Sequence, residues 1–251
     1  MLRNTIHTSH NSHTFLPTFK YFHYICNQQQ RHKESLKHFN TNIMNTKDNK
    51  GTFIELLQST GREGVNYVIE DLAKLGFFDA PASAGHHLNT AGGLVQHSLN
   101  VYKCAMMLRD QMDILSPGIK SECPDDSVII ASLLHDVCKS DIYKRTTRQR
   151  KNALGTWEPS EGYKCSYKDF PIGHGEKSVI MLLCSGLDMT DAEMIAIRWH
   201  MGAWEIPFQS IETQKNQDAA YEQYSLCTLI HAADLLAARL MEKSANDAED
   251  F

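Results

Sequence analysis

His135 and Asp136 stand side by side in Leu133-Leu134-His135-Asp136-Val137-Cys138-Lys139, at the end of the apolar run Val128 to Leu134. A carboxylate carried into such a run loses its hydration at a cost of several kcal/mol unless another charge compensates it. A metal ion compensates it, and the adjacent imidazole supplies a second ligand. Neighbouring side chains diverge by about 100° on an ideal helix, and both can still reach one ion placed between them. Lys139 lies three residues past Asp136 and four past His135, on the same face, where its ammonium could meet a substrate phosphate. From these residues alone, a buried and mutually paired His-Asp dipeptide without metal is an equal alternative.

Asp234 repeats the pattern inside Leu229-Ile230-His231-Ala232-Ala233-Asp234-Leu235-Leu236-Ala237-Ala238. Arg239 is five residues on and off the i+3/i+4 face, so Asp234 needs a tertiary partner, and a metal provides one. His231 reads as an outer partner or a packed histidine before it reads as a ligand. His97, in Gly92-Gly93-Leu94-Val95-Gln96-His97-Ser98, falls on the inward stripe with Leu94 and Val101. A lone histidine there is usually a core residue. Three such placements on separate helices, all inward, point to one converging metal site.

The segments that must position these residues read as helices joined by short loops. Phe53 to Leu75 forms one or two amphipathic helices, with a break expected at Ser59-Thr60-Gly61. Further helices are expected over about Leu94 to Met112, near 126–139, and at about 175–185, 190–201 and 217–243. The 126–139 helix is apolar almost all round and therefore central. Thr190 followed by Glu193 is a capping box. Residues 140–173 are polar and too long for a plain connection, so a lid or short hairpin is expected there. The expected fold is all-α, a helical bundle over 44–251. Residues 1–43 differ: six of the 13 histidines and five Lys/Arg against one acid fall there, without any regular period. They are expected to be disordered, or to lie upstream of a true start at Met44.

Taken together, a His, an adjacent His-Asp and a distant Asp, all helical, resemble the HD-domain superfamily of metal-dependent phosphohydrolases. The likeness covers roughly 78–242 and includes the Gly-Gly-Leu-Val-Gln-His opening, the Leu-Leu-His-Asp-Val-Cys-Lys core and the Ala-Asp-Leu-Leu-Ala-Ala-Arg close. It implies an HD-domain helical bundle in which His97, His135, Asp136 and Asp234 hold one metal. It further implies that His174, in Pro171-Ile172-Gly173-His174-Gly175-Glu176-Lys177, and His200, in Ile197-Arg198-Trp199-His200, serve a second ion with Asp136 bridging. The donor set suits manganese, iron(II), nickel, cobalt or zinc, as one or two ions. The chemistry implied is metal-assisted hydrolysis, with Asp136 and Lys139 as catalytic groups and charge on the phosphoryl oxygens stabilised by metal and Lys139.

Substrate contacts are expected from Lys139, His87, Lys144 and Lys177. His86-His87 resembles the entry to the HD domain of bacterial 3′–5′ exoribonucleases, where such a His could touch the scissile phosphate. The oligonucleotide-binding barrel those enzymes carry upstream is not expected in residues 1–77, which argues against processive RNA degradation. Lys144, Arg145, Arg148, Arg150 and Lys151 form a basic stretch that reads mostly as a solvated loop. The leading expectation is hydrolysis of a phosphomonoester or phosphodiester of a nucleotide or short oligonucleotide. One alternative is a single-strand 3′–5′ exonuclease-like activity, with a groove lined by 144–151 and Tyr143, Trp157 or Tyr163. Another is a non-catalytic nucleotide-binding regulator.

Composition sets outer bounds. The net charge of −5 argues against a bulk electrostatic grip on nucleic acid, though not against a local basic groove. Seven cysteines include no CxxC pair, so neither a disulfide framework nor a cysteine zinc cage is expected. No apolar run approaches the roughly 20 residues that span a bilayer. The expected setting is the cytoplasm, without a membrane partner, and the sequence leaves the oligomeric state open.

Overall fold

Phe53 and Leu57 bury one side of α1 (Asn49–Ser59), and Val65, Val68 and Leu72 do the same for α2 (Val65–Leu75). The computed structural model describes residues 49–152, 155–166, 170–205 and 210–242. The expectations for residues 1–43 lie outside the described residues. The break between α1 and α2 falls at Thr60-Gly61, as the sequence suggests, with Gly61 at φ 62°. A 3-10 turn (Phe77–Asp79) then leads through a loop into α3 (Gly93–Leu115), whose N-terminal half is almost wholly buried.

A short helix α4 (Ile119–Glu122) precedes α5 (Asp125–Leu134), in which every residue from Ser127 to Leu134 is buried. An apolar circumference has only one place to go, the centre. There α5 packs against α3, α8 (Asp191–Trp199) and α10 (Ser225–Leu236). The helix ends earlier than the sequence suggests. His135 to Cys138 form a turn closed by i+3 bonds, with Val137 N–H donating to Leu134 O and Lys139 N–H to Asp136 O. A short helix α6 (Lys139–Ile142) follows. The tighter winding stacks residues three apart, which sets Lys139 directly against Asp136.

Residues 140–173 do carry a hairpin. Strands β1 (Tyr143–Lys151) and β2 (Trp157–Cys165) pair antiparallel from Tyr143↔Cys165 to Lys151↔Trp157. Beyond it come α7 (His174–Cys184) and α8, the latter opened by the expected capping box of Thr190 and Glu193. The single helix expected over 217–243 is two, α9 (Ile211–Gln223) and α10, separated by an extended Tyr224. Only Gln217 and Ala220 of α9 are buried, so it has no apolar stripe for periodicity to reveal. After α10 the chain widens into a π turn (Ala237–Met241). The architecture is all-α apart from the hairpin. Among the described residues no helix is long and apolar enough to cross a membrane, and the six cysteines among them are all free.

One buried ion pair ties the ends of several helices together. The Arg62 guanidinium grips both oxygens of Glu193 at 2.9 Å and reaches Asp126 Oδ2 at 2.6 Å. Ser127 Oγ donates to Glu193 Oε1 at 2.6 Å, and Thr190 N–H donates to Oε2 at 2.9 Å. The loop after α1 and the first turns of α5 and α8 thus share one carboxylate. Removing it leaves Arg62 without its main counter-charge, so Glu193→Ala is expected to cost about 3–5 kcal/mol in urea unfolding. A loss within about 0.5 kcal/mol, the size of an ordinary surface change, would contradict this role.

Candidate metal centre

Four imidazoles and two carboxylates from five places in the chain meet beside α5. His97 comes from the second turn of α3, His135 and Asp136 from the turn after α5, and Asp234 from the last turn of α10. His174 opens α7 and His200 closes α8. The two last are brought together by Gly175, since a Cβ there would collide with the Arg198 carbonyl oxygen. Their rings lie 5.3 Å apart between centroids.

Asp136, 1% exposed, is the hub. Its Oδ2 lies 3.5 Å from His97 Nε2, 3.3 Å from His135 Nε2 and 2.5 Å from Lys139 Nζ. Its Oδ1 faces the other way, 2.5 Å from His174 Nε2 and 3.4 Å from His200 Nε2. Asp234 Oδ1 completes the first group, 3.1 Å from His97 Nε2 and 4.0 Å from His135 Nε2. Ligand-capable atoms of His97, His135 and Asp234, and separately of His135, Asp136 and His200, cluster as a metal ion requires.

The outer hydrogen bonds decide which ring nitrogen faces inward. His135 Nδ1–H donates to Ser132 O at 2.8 Å, and His200 Nδ1–H to Ile197 O at 2.7 Å. His97 Nδ1–H donates to Glu242, 3.0 Å from Oε2. In the neutral rings each Nε2 is then a lone pair aimed into the centre. Without a cation these lone pairs conflict. His97 and His135 present Nε2 to each other at 3.2 Å, and the buried His200 Nε2 makes no hydrogen bond among the described residues. A divalent cation resolves both, so the residues present fit a metal.

Charge gives the same result. Burial alone would lower the pKa of His97, but Asp136, Asp234 and Glu242 outweigh it and hold it well above the ordinary imidazole value. Burial likewise opposes protonation of His174, yet Cys138 and Asp136 push its pKa up to about 10. Burial would raise Asp136, but Lys139, His135 and His174 hold it well below the usual carboxylate range. Asp234 is lowered in the same manner, by His97 above all, against the opposing effect of burial. The same concentration of negative charge would favour a metal cation there.

The remaining expected contacts separate. Lys139 is buried against Asp136, which keeps its ammonium charged despite the burial. His87 sits at the rim, its Nε2 3.8 Å from Glu242 Oε2, and burial together with His97 and Lys139 lowers its pKa to about 4. It is uncharged at neutral pH and offers a phosphate a hydrogen bond only. Lys144 is exposed on β1 opposite Lys164. Lys177 is not brought to the site: it is buried on α7 with Nζ 2.8 Å from Asp141 Oδ2, so it joins α6 to α7. His231 proves to be an outer partner, its Nδ1–H donating to His200 O at 2.6 Å.

Glu242 was not legible in the sequence. It is buried, bonded by His97 and by Asn100 Nδ2 at 2.9 Å, and forms a further metal-capable group with His87 and His97. The π turn before it adds a residue per turn and so rotates it onto α3, which a helical period does not foretell.

Among known proteins, the chain matches the family model described as HD domain over residues 94–239. No curated protein and no solved structure matches it. If Glu242 sets the His97 tautomer, Glu242→Gln is expected to weaken divalent-metal affinity about 10–100-fold, read by competition with a chromophoric chelator. An unchanged affinity in a folded variant would contradict that. Calorimetry in buffers of different ionisation enthalpy should also show protons leaving as manganese binds, with affinity falling as the pH is lowered. Binding without proton release would contradict the charge balance described above.

Proposed function

The chain belongs to the HD-domain family, and from that premise we propose that it hydrolyses a phosphomonoester or phosphodiester of a nucleotide or short oligonucleotide, using divalent transition-metal ions. The observation that supports this most strongly is Asp136, whose two oxygens address two different sets of imidazoles. His97, His135 and Asp234 with Asp136 Oδ2 would hold one ion, and His174 and His200 with Asp136 Oδ1 a second. Bound there, the ions supply Lewis acidity toward a phosphoryl oxygen and a water acidified to near-neutral pKa.

The chain's own residues do the rest. Lys139 keeps a full positive charge beside the reaction centre and is assigned to a non-bridging phosphoryl oxygen, where developing charge is stabilised most. His87, uncharged at the rim, donates a hydrogen bond to the same phosphate. The carbonyls of Ser132 and Ile197 and the Glu242 carboxylate hold three imidazoles in the tautomer that binds metal, so little reorganisation is needed on loading. The buried setting of Asp136 strengthens each of these electrostatic contacts.

The test is metal analysis of the purified full chain, with phosphatase and phosphodiesterase assays under manganese, nickel, cobalt, iron(II) and zinc, beside the His135→Ala/Asp136→Ala double variant. One or two ions per chain and metal-stimulated hydrolysis, reduced at least about 100-fold in the variant, are expected, since one metal-activated step supplies several kcal/mol. A folded protein that binds metal or nucleotide yet hydrolyses nothing under any of these ions would favour a nucleotide-binding regulator instead.

A further inference from the structure

The β1–β2 hairpin carries six Lys/Arg against two Glu between residues 143 and 165, a charge of +4. The whole chain is −5, so removing the hairpin's +4 leaves −9 for everything else. This concentration is local and structural. At about 3.3 Å per residue, nine-residue strands extend about 30 Å. The base of the ribbon is continuous in sequence with segments that carry metal-centre residues. β1 starts four residues after Lys139, β2 ends nine residues before His174, and Ser166 N–H donates to Ile142 O at 2.8 Å to close its base.

Cross-strand partners share a face, and successive residues alternate between faces. From base to tip, one face therefore carries Tyr143, the Arg145–Tyr163 pair, the Thr147–Glu161 and Gln149–Pro159 pairs and the Lys151–Trp157 pair. A cation faces an aromatic ring across the strands near each end of it, with Glu161 and uncharged residues between. Trp157 is 61% exposed, Arg145 and Lys151 are exposed, and Lys151 Nζ lies 5.2 Å from the Trp157 ring centroid. The opposite face places Lys144 against Lys164, both exposed, at the end nearest the site. Among the described residues no carboxylate lies in ion-pair range of Lys144, Arg145 or Lys164.

We propose that this hairpin is an arm that binds a single-stranded nucleic acid and leads its phosphodiester backbone to the metal centre. The cations match phosphates, and the flat rings of Tyr163 and Trp157 across the strands from Arg145 and Lys151 match bases, which stack without regard to sequence. A membrane surface would attract the cations and accept Trp157 too, but Glu161 and the polar Thr147 and Gln149 on the same face leave no continuous apolar strip for a bilayer to bury. The inference rests on the hydrolase reading above and narrows its substrate to an oligonucleotide strand.

Fluorescence anisotropy with labelled 12-nucleotide dT and U oligomers, on the full chain in EDTA, tests it. If Lys144, Arg145, Lys151 and Lys164 each meet a phosphate, log K should fall against log salt with a slope of about −3. Arg145→Ala/Lys151→Ala/Lys164→Ala should remove about two units of that slope. Trp157→Ala should weaken binding about fivefold or more while leaving the slope in place. All these side chains are on the surface, and unchanged circular dichroism and Tm would show that the variants are folded. Absent binding, binding equal in wild type and both variants, or preference for phosphatidylserine vesicles over oligomers would overturn the proposal. Hydrolysis of bis(p-nitrophenyl) phosphate by the wild type with manganese separates the two readings. Oligomer binding without that hydrolysis removes the enzyme and leaves the arm, whereas hydrolysis without oligomer binding removes the arm alone.

Discussion

A single carboxylate, Asp136, is surrounded by the Nε2 atoms of four histidines and by the Lys139 ammonium, almost wholly out of water. An isolated charge at such a place would not remain ionised. Here it is held because four segments, α3, the turn running into α6, α7 and α8, deliver positive or polarisable partners to it. Helix α5 can end in the middle of the molecule only because the turn that ends it presents His135 and Asp136 to those partners. The apolar helices supply the driving force for folding, and the buried acid determines how their ends must be arranged.

That arrangement is enforced at a distance from the carboxylate. Ser132 O, Ile197 O and Glu242 orient three imidazoles, and His200 O is in turn bonded by His231. Backbone closeness matters as much as side-chain bonding. Gly175 lets α7 lie against the end of α8, and Gly202, at φ 58°, turns the chain where a Cβ would strike the His231 ring. The Arg62–Glu193 network fixes the opposite end of α8 to α5, so the helix carrying His200 is held at both ends.

Most of this was legible in the sequence, for reasons that can be named. Asp136 and Asp234 stood out because an acid inside an apolar helix demands an explanation, and His97 because it shared their inward stripe. The resemblance to the HD domain extended that list to His174 and His200, and the geometry brings both to Asp136. Length and polarity pointed to a lid or a hairpin, but not to its register or to the pairing of Arg145 with Tyr163 and of Lys151 with Trp157. Local spacing misled at three points. The winding tightens after Leu134, a polar surface helix precedes Tyr224, and the π turn carries Glu242 onto α3. Lys177 sits in a motif near the site, yet a tertiary carboxylate, Asp141, claims it. In each case the deciding interaction is between segments far apart in sequence.

The central proposal is that Asp136 would hold two ions, one through each oxygen. Electron paramagnetic resonance of the full chain titrated with manganese(II) addresses it directly, because two ions bridged by one carboxylate couple their spins. The account predicts a coupled multiline signal that saturates at two ions per chain and collapses to an isolated-ion spectrum in His174→Ala. Saturation at one ion, or two ions with no coupling between them, would contradict it.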